Sequence, residues 1–176
     1  MNVVSHKWNE YKENQQYKKK LQTVAKFFDY LHYDTEKNAQ LFFEDNQASI
    51  VPYINTLVDK HENSLLHIAV VKRKTAIATL LINNGALVNQ RNYQNVTPLT
   101  NTIILENILL AKRLINAGAE IDLALLPNGR KAIDRVNTKT KDAIYQELKK
   151  YNAKKNKIVS TYISRDPASI VLKYLE

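Results

Sequence analysis

The sequence predicts an all-α solenoid of stacked helix–turn–helix units, and three observations carry that prediction. Two separate motifs recur along the chain, and both recur at the same interval. Apolar residues within each recurring unit follow the three- and four-residue spacing of an amphipathic helix. The 176 residues include three glycines, four prolines and no cysteine, which excludes collagen-like, disulfide-bonded and thiolate-metal folds.

The first motif marks the ends of helices. Residues 80–89 (LLINNGALVN) are echoed by residues 113–122 (RLINAGAEID), so that Gly85 has its counterpart in Gly118. A glycine after an apolar helical run predicts a helix end in the left-handed backbone conformation, which glycine adopts most easily. Each unit therefore ends in a second helix, a glycine and an extended loop.

The second motif marks the starts of helices. Residues 64–69 (SLLHIA) recur as residues 97–102 (TPLTNT), at the interval that separates the two glycines. Ser64 and Thr97 predict N-caps, and Pro98 suits the first helical position because its missing N–H needs no partner there. Such a unit can bury its apolar side only against a neighbouring copy, so the units are expected to stack.

These motifs resemble the ankyrin repeat. Residues 64–69 correspond to the family's Thr-Pro-Leu-His-x-Ala, and residues 85–89 and 118–122 to its Gly-Ala-Asp-Val-Asn. The resemblance is strong over residues 59–124, which covers two units. It implies that His67 is the structural histidine that hydrogen-bonds the turn backbones of adjacent repeats.

The sequence departs from the family pattern at three turn and helix positions. Glu62 and Asn95 stand where the family has a turn glycine, and Thr100 stands where it has the histidine. These departures predict a less regular and less stable array with the same fold.

Three parts are predicted along the chain: an N-terminal capping helix over 1–35, the ankyrin-repeat domain over 36–157, and a C-terminal helix over 158–176. The domain divides into units at about 36–58, 59–91, 92–124 and 125–157. The last unit aligns if one residue is inserted near Pro127.

Helical spacing and cap residues support the two terminal helices. The packing face of the first is predicted to contain Leu21, Val24, Ala25, Phe28 and Leu31. At the other end, Asp166 and Pro167 form an N-cap and first helical residue, and residues 152–157 are expected to be a flexible joint.

The formal net charge is +9, and residues 130–157 concentrate it, with ten basic and three acidic residues. A basic surface keeps a protein soluble and also attracts anionic partners. We expect Tyr145 and Tyr151 to be core and boundary residues, which favours a protein partner. Nucleic acid and anionic lipid stay as less favoured alternatives for residues 130–157.

Catalytic motifs are missing from the sequence. Its three glycines cannot form a phosphate-binding loop, and neither a Gly-x-Ser-x-Gly elbow nor a His-Glu-x-x-His helix occurs. His61 and His67 are six residues apart across a turn–helix junction, a poor spacing for a metal site. We therefore expect no catalysis, no metal and no cofactor.

By resemblance, the binding surface is the concave side made of hairpin tips and first-helix faces. The residues that map to it are Lys60, His61, Asn63, Val71, Lys72, Arg91, Tyr93, Gln94, Val96, Ile104 and Leu105. Arg91 and Tyr93 are expected at its centre, since interface hot spots favour these residue types. The run from Lys72 to Lys74 is expected to be an exposed turn.

These expectations describe a non-catalytic module that binds a folded protein with an acidic or mixed surface. Lys, Asn, Ile and Tyr make up 64 of the 176 residues, a skew typical of AT-rich genomes, which suggests a host-directed effector of an intracellular bacterium or virus. The alternatives are an immunity-type inhibitor that blocks an enzyme and a substrate-recruiting fragment of a larger enzyme.

The polar start of the chain and the lack of a long apolar run bear on location. They predict a cytoplasmic protein, or one secreted into a host cell by a route that needs no signal peptide.

Overall fold

The computed structural model describes the backbone of residues 3–56, 58–121 and 128–165, and side chains from 14 to 158 within those ranges. The described ranges contain eight α-helices and no β-strand, only an isolated bridge between Val58 and Ser64. The all-α prediction is confirmed. In the described part of the chain, no helix combines the length and the apolar character needed to cross a membrane.

The helices follow one another along the chain with short connections. They are α1 (Val3–Tyr33), α2 (Glu36–Asp45), α3 (Gln47–Ile50), α4 (Leu65–Val71), α5 (Thr75–Asn83), α6 (Pro98–Ile104), α7 (Ile108–Asn116) and α8 (Thr138–Arg165), with short 3-10 helices at Val51–Tyr53 and Ala132–Arg135. The pairs α4–α5 and α6–α7 stack so that α4 packs on α6 and α5 packs on α7. Helix α8 continues the stack beside α7, and α1 packs on α2, α3 and α4.

The predicted helix starts and ends are confirmed by the backbone. Ser64 and Thr97 each form a capping box, with His67 and Thr100 as the reciprocal residues. Gly85 has a φ of 86° and lies at the end of α5, in the left-handed region expected for it.

Backbone conformation also fixes the register of the units. Glu62 and Asn95 have φ angles of 59° and 63°, and the interval between them equals the interval between Gly85 and Gly118. The third residue of this series is Gly129, which has a φ of 77°. It lies one residue further along the chain than an equal interval counted from Asn95 would place it. This spacing agrees with one inserted residue in the last unit, where the first helix shortens to the 3-10 turn at Ala132–Arg135.

Two asparagines make matching bridges between neighbouring loops. The Asn55 amide donates to the Gly85 carbonyl at 2.9 Å and accepts from the Leu87 N–H at 2.8 Å. The Asn89 amide does the same one unit later, donating to the Gly118 carbonyl at 3.2 Å and accepting from the Glu120 N–H at 3.0 Å. The same bridge therefore forms at the loop that follows α5 and at the loop that follows α7.

The core is a continuous apolar layer where successive helices meet. Its largest fully buried side chains in the units include Leu66, Leu81, Leu99 and Leu114. Removing any of them would leave a cavity in this layer and weaken the stacking of neighbouring units.

Helix α1 packs on the array with part of the predicted face, rotated towards Phe27. Val24, Phe27 and Leu31 are fully buried, and the Phe27 ring lies 5.4 Å from the Phe43 ring. Ala25 is exposed, so its placement in the packing face was wrong. The large Phe27 ring, which the predicted stripe omitted, takes the buried position instead.

Helix α8 corrects two further expectations. It runs without a break through residues 152–157, so the predicted joint was wrong; this stretch has no glycine or proline to end a helix. Tyr145 is 46% exposed because Ile144 and Leu148 occupy the packed face, whereas Tyr151 is half-buried as expected. The predicted helix start at Asp166 and Pro167 lies outside the described residues.

Candidate functional site

The first hairpin tip, residues 59–63, is held by one carboxylate. Asp59 Oδ1 accepts the N–H groups of His61 at 2.8 Å and Asn63 at 2.9 Å, and Asp59 Oδ2 accepts the Asn63 amide at 3.1 Å. Burial raises the pKa of Asp59, but these hydrogen bonds outweigh it and hold the pKa below its usual value. The tip therefore presents Lys60 and His61 to solvent on a fixed backbone.

The second hairpin tip, residues 92–96, uses an asparagine for the same purpose. Asn92 Oδ1 accepts the N–H groups of Gln94 at 3.1 Å and Val96 at 3.0 Å. The Arg91 guanidinium donates to Asn95 Oδ1 at 2.7 Å. Tyr93 is 56% exposed at the apex, beside the exposed Gln94.

Side-chain and backbone bonds join the two tips. The Asn92 amide donates to Asn63 Oδ1 at 2.8 Å, and the Tyr93 N–H donates to the His61 carbonyl at 3.2 Å. The rings of His61 and Tyr93 lie 5.4 Å apart. The tips consequently form one rigid row, not two independent loops.

The first helices supply the wall opposite the tips. Val71 at the end of α4 and Ile104 at the end of α6 occupy matching positions and are 50% and 45% exposed. A cavity of about 220 Å³ lies between wall and tips; its lining is His61, Asn63, Val71, Asn92, Tyr93, Gln94 and Asn101. Five of these seven residues belong to the predicted surface, and Asn92 and Asn101 were missed.

Other predicted residues lie elsewhere. Val96 is 4% exposed, so its side chain is not available to a partner and its inclusion was wrong. Leu105 is half-buried against the core, and Arg91 is half-exposed at the base of its tip. Lys72 is exposed, as expected, and lines a small cavity of about 70 Å³ next to Val71.

A third and larger cavity on this face borders α1, a helix that the predicted binding surface does not include. A space of about 580 Å³ lies between α1 and the first tip; its lining is Ala25, Phe28, Asp29, His32, Tyr33, Val58, Asp59, Lys60 and His61. Tyr33, at the end of α1, is 85% exposed. His32 and Asp59 also line the small cavity beside Lys72, so the two cavities adjoin.

A buried lysine fixes the end of α1 at this position. Lys74 Nζ donates to the carbonyls of Tyr30 and Asp34, each at 2.7 Å, and so caps the carboxyl end of α1. Lys74 is 7% exposed, which corrects its placement in an exposed turn. Burial lowers the pKa of its ammonium, and the nearby Asp34 carboxylate opposes that shift.

One histidine connects the two tips to the helices beneath them. His67 Nδ1 accepts the Ser64 N–H at 3.2 Å, which leaves the proton on Nε2, and Nε2 donates to the Val96 carbonyl at 2.9 Å. His67 is fully buried, and burial lowers the pKa of its ring against the opposing effects of the Val96 carbonyl and Asp59. His67 is therefore neutral, and its hydrogen bond to the Val96 carbonyl links adjacent units.

The family model of the ankyrin repeat matches residues 61–93. This chain contains an ankyrin repeat. The matched residues include His67, Lys72 and Lys74, together with residues 61–63 of the first tip and 92–93 of the second. No curated protein shows significant similarity to the sequence.

The unit after the matched ankyrin repeat keeps the cap and lacks the histidine bond. The hydroxyl of Thr100 lies 3.0 Å from that of Thr97, within its own unit. Asn107 caps α7 through the Leu110 N–H at 3.1 Å and donates to Thr75 at 3.3 Å, which ties the two units together at their other end.

Ankyrin repeats are typically non-catalytic modules for protein–protein interaction, and the presence of one supports that role here. Among the described residues, no group of three or more His, Cys, Asp or Glu side chains is placed to hold a metal ion. The arrangement offers rigid recognition through fixed backbones with exposed apolar, aromatic and amide side chains.

Proposed function

We propose that the protein binds a folded protein partner in the concave groove between the hairpin tips and the first helices, extended by the end of α1. The observation that carries the proposal is a series of exposed apolar side chains on this face: Tyr33, Val58, Val71 and Tyr93 line its cavities, and Ile104 occupies the position in α6 that matches Val71. Exposed apolar side chains that continue over several elements are typical of interaction sites.

The rigidity of the groove supports tight binding. Association costs free energy for every loop or side chain that becomes ordered in the complex. Here the tips are already fixed by Asp59, Asn92 and the bond between Asn92 and Asn63. Tyr93 and Arg91 can therefore act as anchors with little ordering cost, and both types are enriched among hot spots.

The charges along the groove suggest the surface of the partner. Lys60 and Lys72 are exposed on it, and so is Asp29 at its α1 end. The Asp59 carboxylate is occupied by its own tip. A mixed partner surface, acidic opposite the lysines, complements this pattern.

We also propose two finer expectations as hypotheses, the first from sequence composition and the second from the repeat interval. These are a host-directed effector role inside a host cell, and the division into a domain over 36–157 with capping helices. The packing of α1 on α2, α3 and α4 supports a cap at the first end.

Affinity capture with matched variants tests the proposal. The intact protein, an Arg91→Ala/Tyr93→Ala variant and a Leu109→Ala/Arg113→Ala control serve as baits, and captured proteins are identified by mass spectrometry. Leu109 and Arg113 are exposed on α7, away from the groove cavities. A partner held by the control and lost from the groove variant supports the proposal; retention by all three baits contradicts it.

A further inference from the structure

Among the described side chains, a dense group of basic residues lies on α8, outside the groove. Residues 138–158 contain seven lysines and two acidic residues. Lys139, Lys149, Lys150 and Lys154 are all exposed.

Helix geometry collects these four lysines on one side of α8, called here the lysine face. Ile144 and Leu148 pack towards the array. At about 100° per residue, Lys150 lies about 120° around the helix from Ile144, and the four lysines span an arc of about 140° that ends at Lys149 and Lys154. Lys139 precedes Lys150 by about three turns, and Lys154 follows it by about one turn. At about 1.5 Å per residue, the face extends over about 22 Å.

Little acidic charge opposes the lysine face. The Glu147 carboxylate is engaged by α7, accepting the Asn116 amide at 2.8 Å and lying 3.9 Å from Lys112 Nζ. Asp142 is then the one acidic residue on the exposed side of α8 among the described side chains of 138–158. Asp142 lies within the arc of the four lysines, so the face carries four positive charges and one negative charge and stays net positive.

We infer that the lysine face binds the phosphate backbone of a nucleic acid, at a site separate from the protein-binding groove. A phosphate backbone needs cationic groups in a row and releases counterions when they bind. A helix that lies in a bilayer surface also needs large apolar side chains on the bound side. The residues between the lysines on this face include Gln146 and Ala153, which supply none.

An aromatic ring at the edge of the face favours unpaired bases. Tyr145 is 46% exposed and precedes Lys149 by one helical turn. A base can stack on such a ring only when it is free of its pair, and stacking adds to phosphate contacts in single-strand binding. The preferred ligand is consequently single-stranded.

Fluorescence anisotropy with a labelled 20-nucleotide RNA and a labelled 20-base-pair DNA tests the site. The test variant replaces Lys139, Lys149, Lys150 and Lys154 with glutamine. The matched control makes the same replacement at Lys18, Lys19, Lys26 and Lys37, which are also exposed. The two variants therefore lose the same amount of positive charge. Circular dichroism confirms that both variants fold.

Four phosphate contacts predict that affinity falls about 50-fold for the single strand and about 150-fold for the duplex between 50 and 200 mM salt. The test variant should lose most of this salt dependence and bind at least about tenfold more weakly at 50 mM, while the control stays near the parent. Tyr145→Leu should weaken RNA binding alone.

Equal losses in the two lysine variants would overturn the inference, because net charge and not the lysine face would then explain the binding. Binding of the parent to vesicles of phosphatidylcholine and phosphatidylserine, without binding to either nucleic acid, would overturn it in favour of a membrane. Neither result bears on the groove, which the Arg91→Ala/Tyr93→Ala variant tests separately.

Discussion

Replacing His67 with threonine would remove the hydrogen bond between adjacent units while keeping the cap of α4. Threonine already occupies the matching position 100, where it completes a capping box with Thr97. A threonine at 67 can therefore still cap α4, but it cannot reach the Val96 carbonyl that Nε2 contacts at 2.9 Å. The variant isolates the bond between the units.

The expected loss of stability follows from the burial of both partners. Loss of the hydrogen bond leaves a buried carbonyl without a donor, which costs about 1–3 kcal/mol. The smaller side chain also leaves a cavity, which adds about 1 kcal/mol. We expect the free energy of unfolding in urea at pH 7.5 to fall by about 2–4 kcal/mol, with faster amide exchange at residues 92–96.

The same variant should change the pH dependence of stability. The pKa of His67 is lower in the folded protein than its ordinary value of 6.5, so the unfolded chain binds the proton more readily. Stability from this group is fully present above about pH 6.5 and is lost as the pH falls towards the folded pKa. The parent should therefore lose stability more steeply than His67→Thr on acidification. An unchanged urea midpoint at pH 7.5 for His67→Thr would refute the role assigned to this bond.

Three further changes test other parts of the fold. Glu62 has a left-handed backbone conformation that costs about 1–2 kcal/mol, and glycine avoids this cost but loses more conformational entropy on folding. Glu62→Gly should therefore raise stability by up to about 1 kcal/mol in urea titrations, whereas Glu44→Gly in α2 should lower it. Lys74→Met removes the ammonium donor from the carbonyls of Tyr30 and Asp34 at the end of α1 and should cost about 1–3 kcal/mol with faster hydrogen exchange in α1, whereas Met at the exposed Lys72 should not. Leu114→Ala should lower the thermal midpoint through a loss of about 2–5 kcal/mol, and an unchanged midpoint would contradict the assigned register.

The parts of the fold that repeat were predictable from the sequence. Ser64, Thr97 and Gly85 act through local backbone geometry, so their roles could be predicted without knowing what packs around them. His67 was predictable only through resemblance, because its acceptor, the Val96 carbonyl, belongs to the next unit of the chain.

The parts that do not repeat depended on tertiary contacts. Lys74 and Lys72 are two residues apart in one basic run, yet one is buried and the other exposed, because the carbonyl end of α1 lies over Lys74 alone. The contribution of Tyr33 and His32 to the groove likewise depends on how α1 docks. Helical spacing gave the period of α1 but not its rotation, which Phe27 decides by entering the core.

Photo-crosslinking from the groove tests the central claim most directly. A benzoylphenylalanine placed at Tyr93 sits at the apex of the second tip, and the same residue at Leu109 is similarly exposed on α7. We predict that irradiation in the presence of the captured partner joins it to the protein from position 93 and not from position 109. Crosslinking from 109 without crosslinking from 93 would contradict binding in the concave groove.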